Sequence, residues 1–304
     1  MQNEKKSLTK FSLFLLITII IGWGTSWPFL KIALSEIPPW TFRGLIAPTA
    51  ALFILLAGFL SRQKIRVPAG QWKPLIIASL FNVMIWHIFS AWGIRLLASG
   101  QASIIAYTMP LWAVLFNILI NRDRPTAQRT IGLMAGLLGL ATLTIGDLGI
   151  YKIAPIGSIL MLIAAISWGM GTAIHKRIKW QMPAATLAGW QLLLGGLPIT
   201  IIAIFLEHDL WPAVISTISL AAILSTILIL VYPIIFCWIA WFRIISEVPV
   251  SISAVSIMLV PVIGVYSGHL ILQEPVSLRE IGGLLLVCSA LALVLLPTFQ
   301  LRRK

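Results

Sequence analysis

The sequence predicts an all-α polytopic membrane protein: ten transmembrane helices arranged as two inverted five-helix repeats, with the N- and C-termini cytoplasmic. Three observations predict it. The 304 residues are 59% hydrophobic and 10% charged, with a mean hydropathy of +1.00, whereas a soluble domain carries about 25% charged residues. The basic residues fall in small groups between apolar runs. The second half of the chain repeats, in order, short motifs of the first.

The apolar runs lie at 11–33, 40–60, 74–96, 100–120, 128–146, 155–175, 184–206, 216–242, 249–272 and 278–297. About 20 mostly apolar residues cross a bilayer as a helix, so ten spans use most of the chain and leave only short loops. Proline punctuates the boundaries. Pro38-Pro39 precedes the second run, Pro74 opens the third, Pro125 precedes the fifth, Pro249 opens the ninth and Pro275 precedes the tenth. Pro233 inside the long eighth run predicts a kink or tilt. The first run follows Lys5, Lys6 and Lys10, as a signal peptide would, but no small-x-small cleavage pattern follows. Trp23, Trp27 and Pro28 come instead, so this run reads as a retained first helix.

Charge sets the orientation. With the N-terminus inside and ten spans, seventeen basic residues lie inside and five outside: Lys31, Arg43, Arg95, Lys152 and Arg279. Acids lean the other way, with Glu36, Asp147, Glu207, Asp209, Glu274 and Glu280 outside. This is the positive-inside pattern. The net charge of +13 therefore belongs to loops at a membrane surface. A nucleic-acid partner would need the basic residues gathered on one face, so none is expected.

The internal repeat is carried by matched motifs. Ile21-Gly22-Trp23-Gly24 with Lys31 matches Ile166-Ser167-Trp168-Gly169 with Lys176; Ala91-Trp92 matches Ala240-Trp241; Pro110 matches Pro261; and Pro125 with Ile131-Gly132 matches Pro275 with Ile281-Gly282. Five spans per half is an odd number, so the second half enters the membrane from the opposite side. Inverted repeats can exchange conformations around a site near the bilayer midplane.

These motifs resemble the EamA-type members of the drug/metabolite transporter superfamily. The resemblance rests on Trp23-Gly24 followed by Lys31, on the small and apolar residues leading to Pro110 and Pro261, and on Gln273-Glu274-Pro275 before Ile281-Gly282. The first half departs from the pattern: in Arg122-Asp123-Arg124-Pro125 the acid stands one place early. The resemblance implies one EamA-like repeat over 11–147 and another over 155–297, with a central cavity between them. It also implies movement of small-molecule metabolites, amino acids foremost, across an inner membrane. Export is the expected direction.

Candidate substrate contacts are polar and aromatic side chains inside the spans. Asn82, Trp86, Ser90 and Gly93 share one face of the third helix, with His87 beside them; an amide in hydrocarbon faces the bundle interior, as a site or as a bond between helices. Trp23 and Trp168 occupy equivalent places in the two halves and are read as cavity walls. Gln191 lies deep in the seventh span, Tyr107 just before Pro110, and Ser256 and Tyr266 flank Pro261. No Asp or Glu lies in the middle of any span. An electrically near-neutral cavity for neutral or zwitterionic solutes is therefore expected.

Cys237 and Cys288 sit inside apolar runs and suggest no metal site or disulfide; no cofactor is expected. Gly132, Gly136 and Gly139, and Gly282-Gly283, offer faces for close helix packing, within a monomer or in a homodimer. The alternative function is a membrane-embedded enzyme, an intramembrane hydrolase or lipid-modifying transferase. Its nearest hint, Ser267-Gly268-His269, lacks a Gly at position 265, where Val265 stands, and no paired acids or phosphate-binding loop accompany it.

Overall fold

The computed structural model describes residues 9–121, 126–145, 154–247 and 257–295, and every regular element among them is helical. Helix α1 (Lys10–Glu36) starts at Thr9, whose Oγ1 accepts the Ser12 amide hydrogen at 3.0 Å, a side-chain N-cap. Pro39 opens α2 (Pro39–Leu60), a position where the missing N–H costs nothing. Then come α3 (Trp72–Ser79), α4 (Trp86–Leu96), α5 (Ser99–Ala106), α6 (Met109–Asn121) and α7 (Ala127–Ile145). The second half holds α8 (Ala154–Arg177), α9 (Ala184–Glu207), α10 (Trp211–Thr217), α11 (Leu220–Ile229), α12 (Cys237–Glu247), α13 (Val260–Leu272) and α14 (Leu278–Leu295).

Among the described residues, seven continuous helical stretches are long and apolar enough to cross a membrane: Lys10–Glu36, Pro39–Leu60, Ala69–Leu96, Ser99–Ile120, Pro155–Arg177, Ala184–Thr217 and Leu220–Trp241. Thr130–Gly139 and Val260–Leu272 are shorter apolar helical stretches. Large apolar side chains such as Phe14, Leu52, Phe59 and Phe205 stand exposed along these helices, as a lipid-facing surface requires. One element was not expected. A 3-10 turn at His208–Leu210 carries α9 on into the short helix α10, with Pro212 at its start, and Ser219 then caps α11 by accepting from the Ala222 amide at 3.1 Å.

Two π turns interrupt the long helices. Leu80–Ile85 joins α3 to α4, and Leu230–Phe236 joins α11 to α12. Each widens the hydrogen-bond ladder and frees carbonyls. The freed groups find partners in the other half of the chain. Ser167 Oγ of α8 donates to Phe81 O at 2.5 Å, and Trp23 Nε1 of α1 donates to Pro233 O at 3.0 Å. Pro48 inside α2 leaves Gly44 O without its helical donor; Thr200 Oγ1 of α9 supplies one at 2.7 Å.

The packing partners exchange when the halves are exchanged. α2 lies on α9, α7 on α14 and α5 on α13. α4 and α6 pack on α8, while α11, α12 and α13 pack on α1. Close approach is built with glycine: a Cβ on Gly44 would stand 2.9 Å from the Thr200 backbone.

One end of the molecule is fastened by carboxylates set on helix N-termini, where they bond free amides and meet the positive end of the helix dipole. Glu36 accepts from Ser219 N and Oγ, both at 2.6 Å, at the start of α11. Glu207 accepts from Thr41 N at 2.7 Å and Thr41 Oγ1 at 2.8 Å, at the start of α2. Glu274 accepts from Ser99 N at 2.8 Å and Ser99 Oγ at 2.7 Å, at the start of α5, and lies 3.7 Å from Lys31 Nζ. Lys31 Nζ also donates to Leu97 O.

Candidate functional site

The helices of the two halves enclose a cavity of about 550 Å³, within the range of ~300–1,000 Å³ usual for small-molecule sites. α1, α4, α6, α8 and the π turn Leu230–Phe236 supply most of its wall, and Arg43 reaches it from α2. Its aromatic lining forms connected pairs. Trp86 meets Trp168 at 5.2 Å between ring centroids, and Trp168 meets Trp238 at 6.1 Å. Trp23 meets Trp241 at 5.5 Å, and Trp27 meets Tyr107 at 6.4 Å. The first of these pairs is edge-to-face, which suits the quadrupoles of the rings. Trp86 is placed by the π turn that ends at Ile85, and Trp23 by its bond to Pro233 O.

The two ends of the cavity differ. Thr172 and Lys176, in the last turns of α8, line it and are exposed. Arg43, Ser90, His87 and Ile94 line it and are buried. The Lys176 end is therefore the mouth and the Arg43 end is blind. Arg43 is 5% exposed, and its Nη2 donates to Ser90 Oγ at 3.2 Å. Its Nε has no hydrogen-bond partner, nor has Nδ1 of His87.

Five of the expected residues line this cavity: Trp23, Trp86, His87, Tyr107 and Trp168. Asn82 does not. It is 8% exposed and packs on the α8 backbone, where a Cβ at Gly171 would collide with its Oδ1. Gln191 is 6% exposed within α9 and also lies outside the lining. Tyr266 is 60% exposed on α13, on the outer surface of the bundle. Ser256 lies outside the described residues.

The expectation of a near-neutral interior gives way. Arg43 and Lys176 are both lining residues, and no acid is among the described ones. In the charge tally Arg43 counts among the five basic residues on the outside, at the outer end of the second apolar run. A signal was present: Arg43 is in helical phase with Ala47, Ala50, Ala51 and Ile54, all buried, and a cation on the small-residue face of a span points inward. Trp238, Trp241 and Asn117 also line the cavity. Trp241 is the counterpart of Trp92 in the repeat, and that correspondence alone does not mark it.

Comparison with known proteins agrees with this architecture. The EamA-like transporter family matches the chain twice, over residues 10–145 and 155–296. The "Uncharacterized transporter YoaV" of Bacillus subtilis is 26% identical over 294 residues, covering 95% of this chain and 97% of that protein. A "Probable amino-acid metabolite efflux pump" of Salmonella typhimurium is 24% identical, covering 91% of this chain and 92% of that protein. A solved crystal structure superposes with a TM-score of 0.65 over 94% of this chain and 96% of that one, at 17% identity; this is a likeness of fold.

Proposed function

Because the chain belongs to the EamA-like transporter family, we propose that it is a secondary exporter of small metabolites, zwitterionic amino acids first among them. It is a multi-pass inner-membrane protein and a transporter, not an enzyme. We propose further that it works by alternating access between two inverted five-helix repeats, with ten spans and both termini in the cytoplasm. The cavity between the halves, blind at one end and open at the other, is the observation that carries this reading. An internal site reachable from one side at a time is the physical requirement for alternating access. The double family match, the exchange of packing partners and the paired π turns support the repeat. The efflux pump of Salmonella typhimurium supports the substrate class.

Counterflow in liposomes tests it. Purified protein should move labelled amino acids saturably and leave them chemically unaltered. Failure to move any amino acid or related metabolite, or chemical conversion of the solute, would overturn the proposal. Reporter fusions at the two termini test the orientation: both should report the cytoplasm.

A further inference from the structure

We infer that Arg43, with Ser90 and His87, forms a carboxylate-binding subsite at the blind end of the cavity, so that the transported solutes are monocarboxylates held by their acid group. This inference rests on the transport reading and specifies what the site recognises.

The argument begins with a missing counter-charge. A buried cation is costly unless it is paired, and an ionisable residue inside a span is a functional candidate by default. Three carboxylates sit at the fastened end of the bundle, which the blind end of the cavity adjoins. Each is engaged elsewhere: Glu36 on Ser219, Glu207 on Trp40 and Thr41, Glu274 on Ser99 and Lys31. Among the described residues, none forms an ion pair with Arg43. Its guanidinium spends one donor on Ser90 Oγ and leaves Nε without a partner. The guanidinium also lies over the Phe42 ring at 5.5 Å, which brings no counter-charge. Nε is closed off from the cavity, so a ligand would supply the missing charge at the terminal nitrogens of the side chain.

The chemistry of that ligand follows from the donors. A guanidinium is a planar fork matched to the two oxygens of a carboxylate. His87 lines the same wall and places a second polar ring beside the guanidinium, its Nδ1 buried without a partner. Lys176, the other lining cation, stands at the opposite end. A single fixed positive charge at the blind end suits one carboxylate better than a phosphate dianion. The rest of the solute meets the Trp86, Trp168 and Trp238 rings, whose faces also receive an ammonium group by cation–π attraction. Amino acids fit on these terms through the acid, and the amine is dispensable.

The test uses the full-length protein in nanodiscs and four probes with one aromatic body: L-phenylalanine, 3-phenylpropionate, L-phenylalaninamide and 2-phenylethylamine. Calorimetry or competition gives each Kd. The two acids should bind about ten- to a hundredfold more tightly than the amide and the amine, the range of a hydrogen-bonded charge pair. Arg43→Gln should abolish that preference, and Arg43→Lys, which keeps the charge and loses the fork, should keep part of it. Unfolding temperatures of the unliganded variants separate lost binding from lost fold. The unaltered protein decides the matter even where a variant does not fold. Equal binding of acid and amide, binding of none of the four, or a preference that survives Arg43→Gln overturns the inference. Counterflow of a solute lacking a carboxylate would in those cases leave the transport reading standing.

Discussion

Lys31 and Lys176 occupy equivalent places in the two halves, eight residues after Trp23 and Trp168 respectively, yet their surroundings differ. Lys31 is held by Leu97 O and Glu274, at the end where three carboxylates bind helix N-termini. Lys176 is exposed at the mouth of the cavity. Matched positions in the two halves thus meet different partners, one ion-paired and one open to the mouth. A repeat whose halves trade shapes would trade these two environments.

The largest effect on this contrast is expected from the blind end itself. Arg43→Gln should weaken carboxylate binding by about ten- to a hundredfold while leaving the fastened end closed, as read by calorimetry and by unchanged access to that end. Next comes Glu274→Gln, which removes the charge facing Lys31 and weakens the cap on Ser99 and Gly100. It should loosen the fastening. A cysteine placed at Ile94, now buried in the cavity wall, should then react with an impermeant maleimide about tenfold faster from the Glu274 side.

Trp168→Ala takes out the ring that touches both Trp86 and Trp238. An aromatic solute loses one ring contact of ~0.5–1.5 kcal/mol and should bind roughly twofold to tenfold more weakly, with no change in closure of the fastened end. The smallest effect is expected at Asn82. Its Oδ1 has no partner, so Asn82→Leu removes an unsatisfied acceptor. Transport per folded molecule should stay within about twofold, measured by counterflow normalised to folded protein.

The membrane class and the motif repeat were legible because hydropathy and proline spacing act over twenty residues at a time. Trp23 and Trp168, read as cavity walls from their matched places in the repeat, both line the cavity, and so does Trp86 from the polar face of the third span. Asn82 and Gln191 looked equivalent to them, since polarity says that a side chain faces inward and not which inward surface it meets. One faces the α8 backbone and the other stays within the α9 packing. Arg43 counts only toward the outside charge, because a cation in the first turns of a span starting at Pro39 can snorkel to the membrane surface as readily as it can turn inward. The irregularity at Leu230–Phe236 is the kink that Pro233 predicts, whereas Leu80–Ile85 holds no proline, and a widened turn set by packing leaves no periodicity in the sequence.

Each π turn amounts to one surplus residue inserted into a helix, and each residue advances an α-helix by about 100°. Shortening Leu80–Ile85 by a single position would restore a regular ladder and swing everything downstream by that angle. Trp86 and His87 would turn out of the cavity, while Phe81 O would withdraw from Ser167. The orientation of the binding wall is thus stored in the count of residues in one turn.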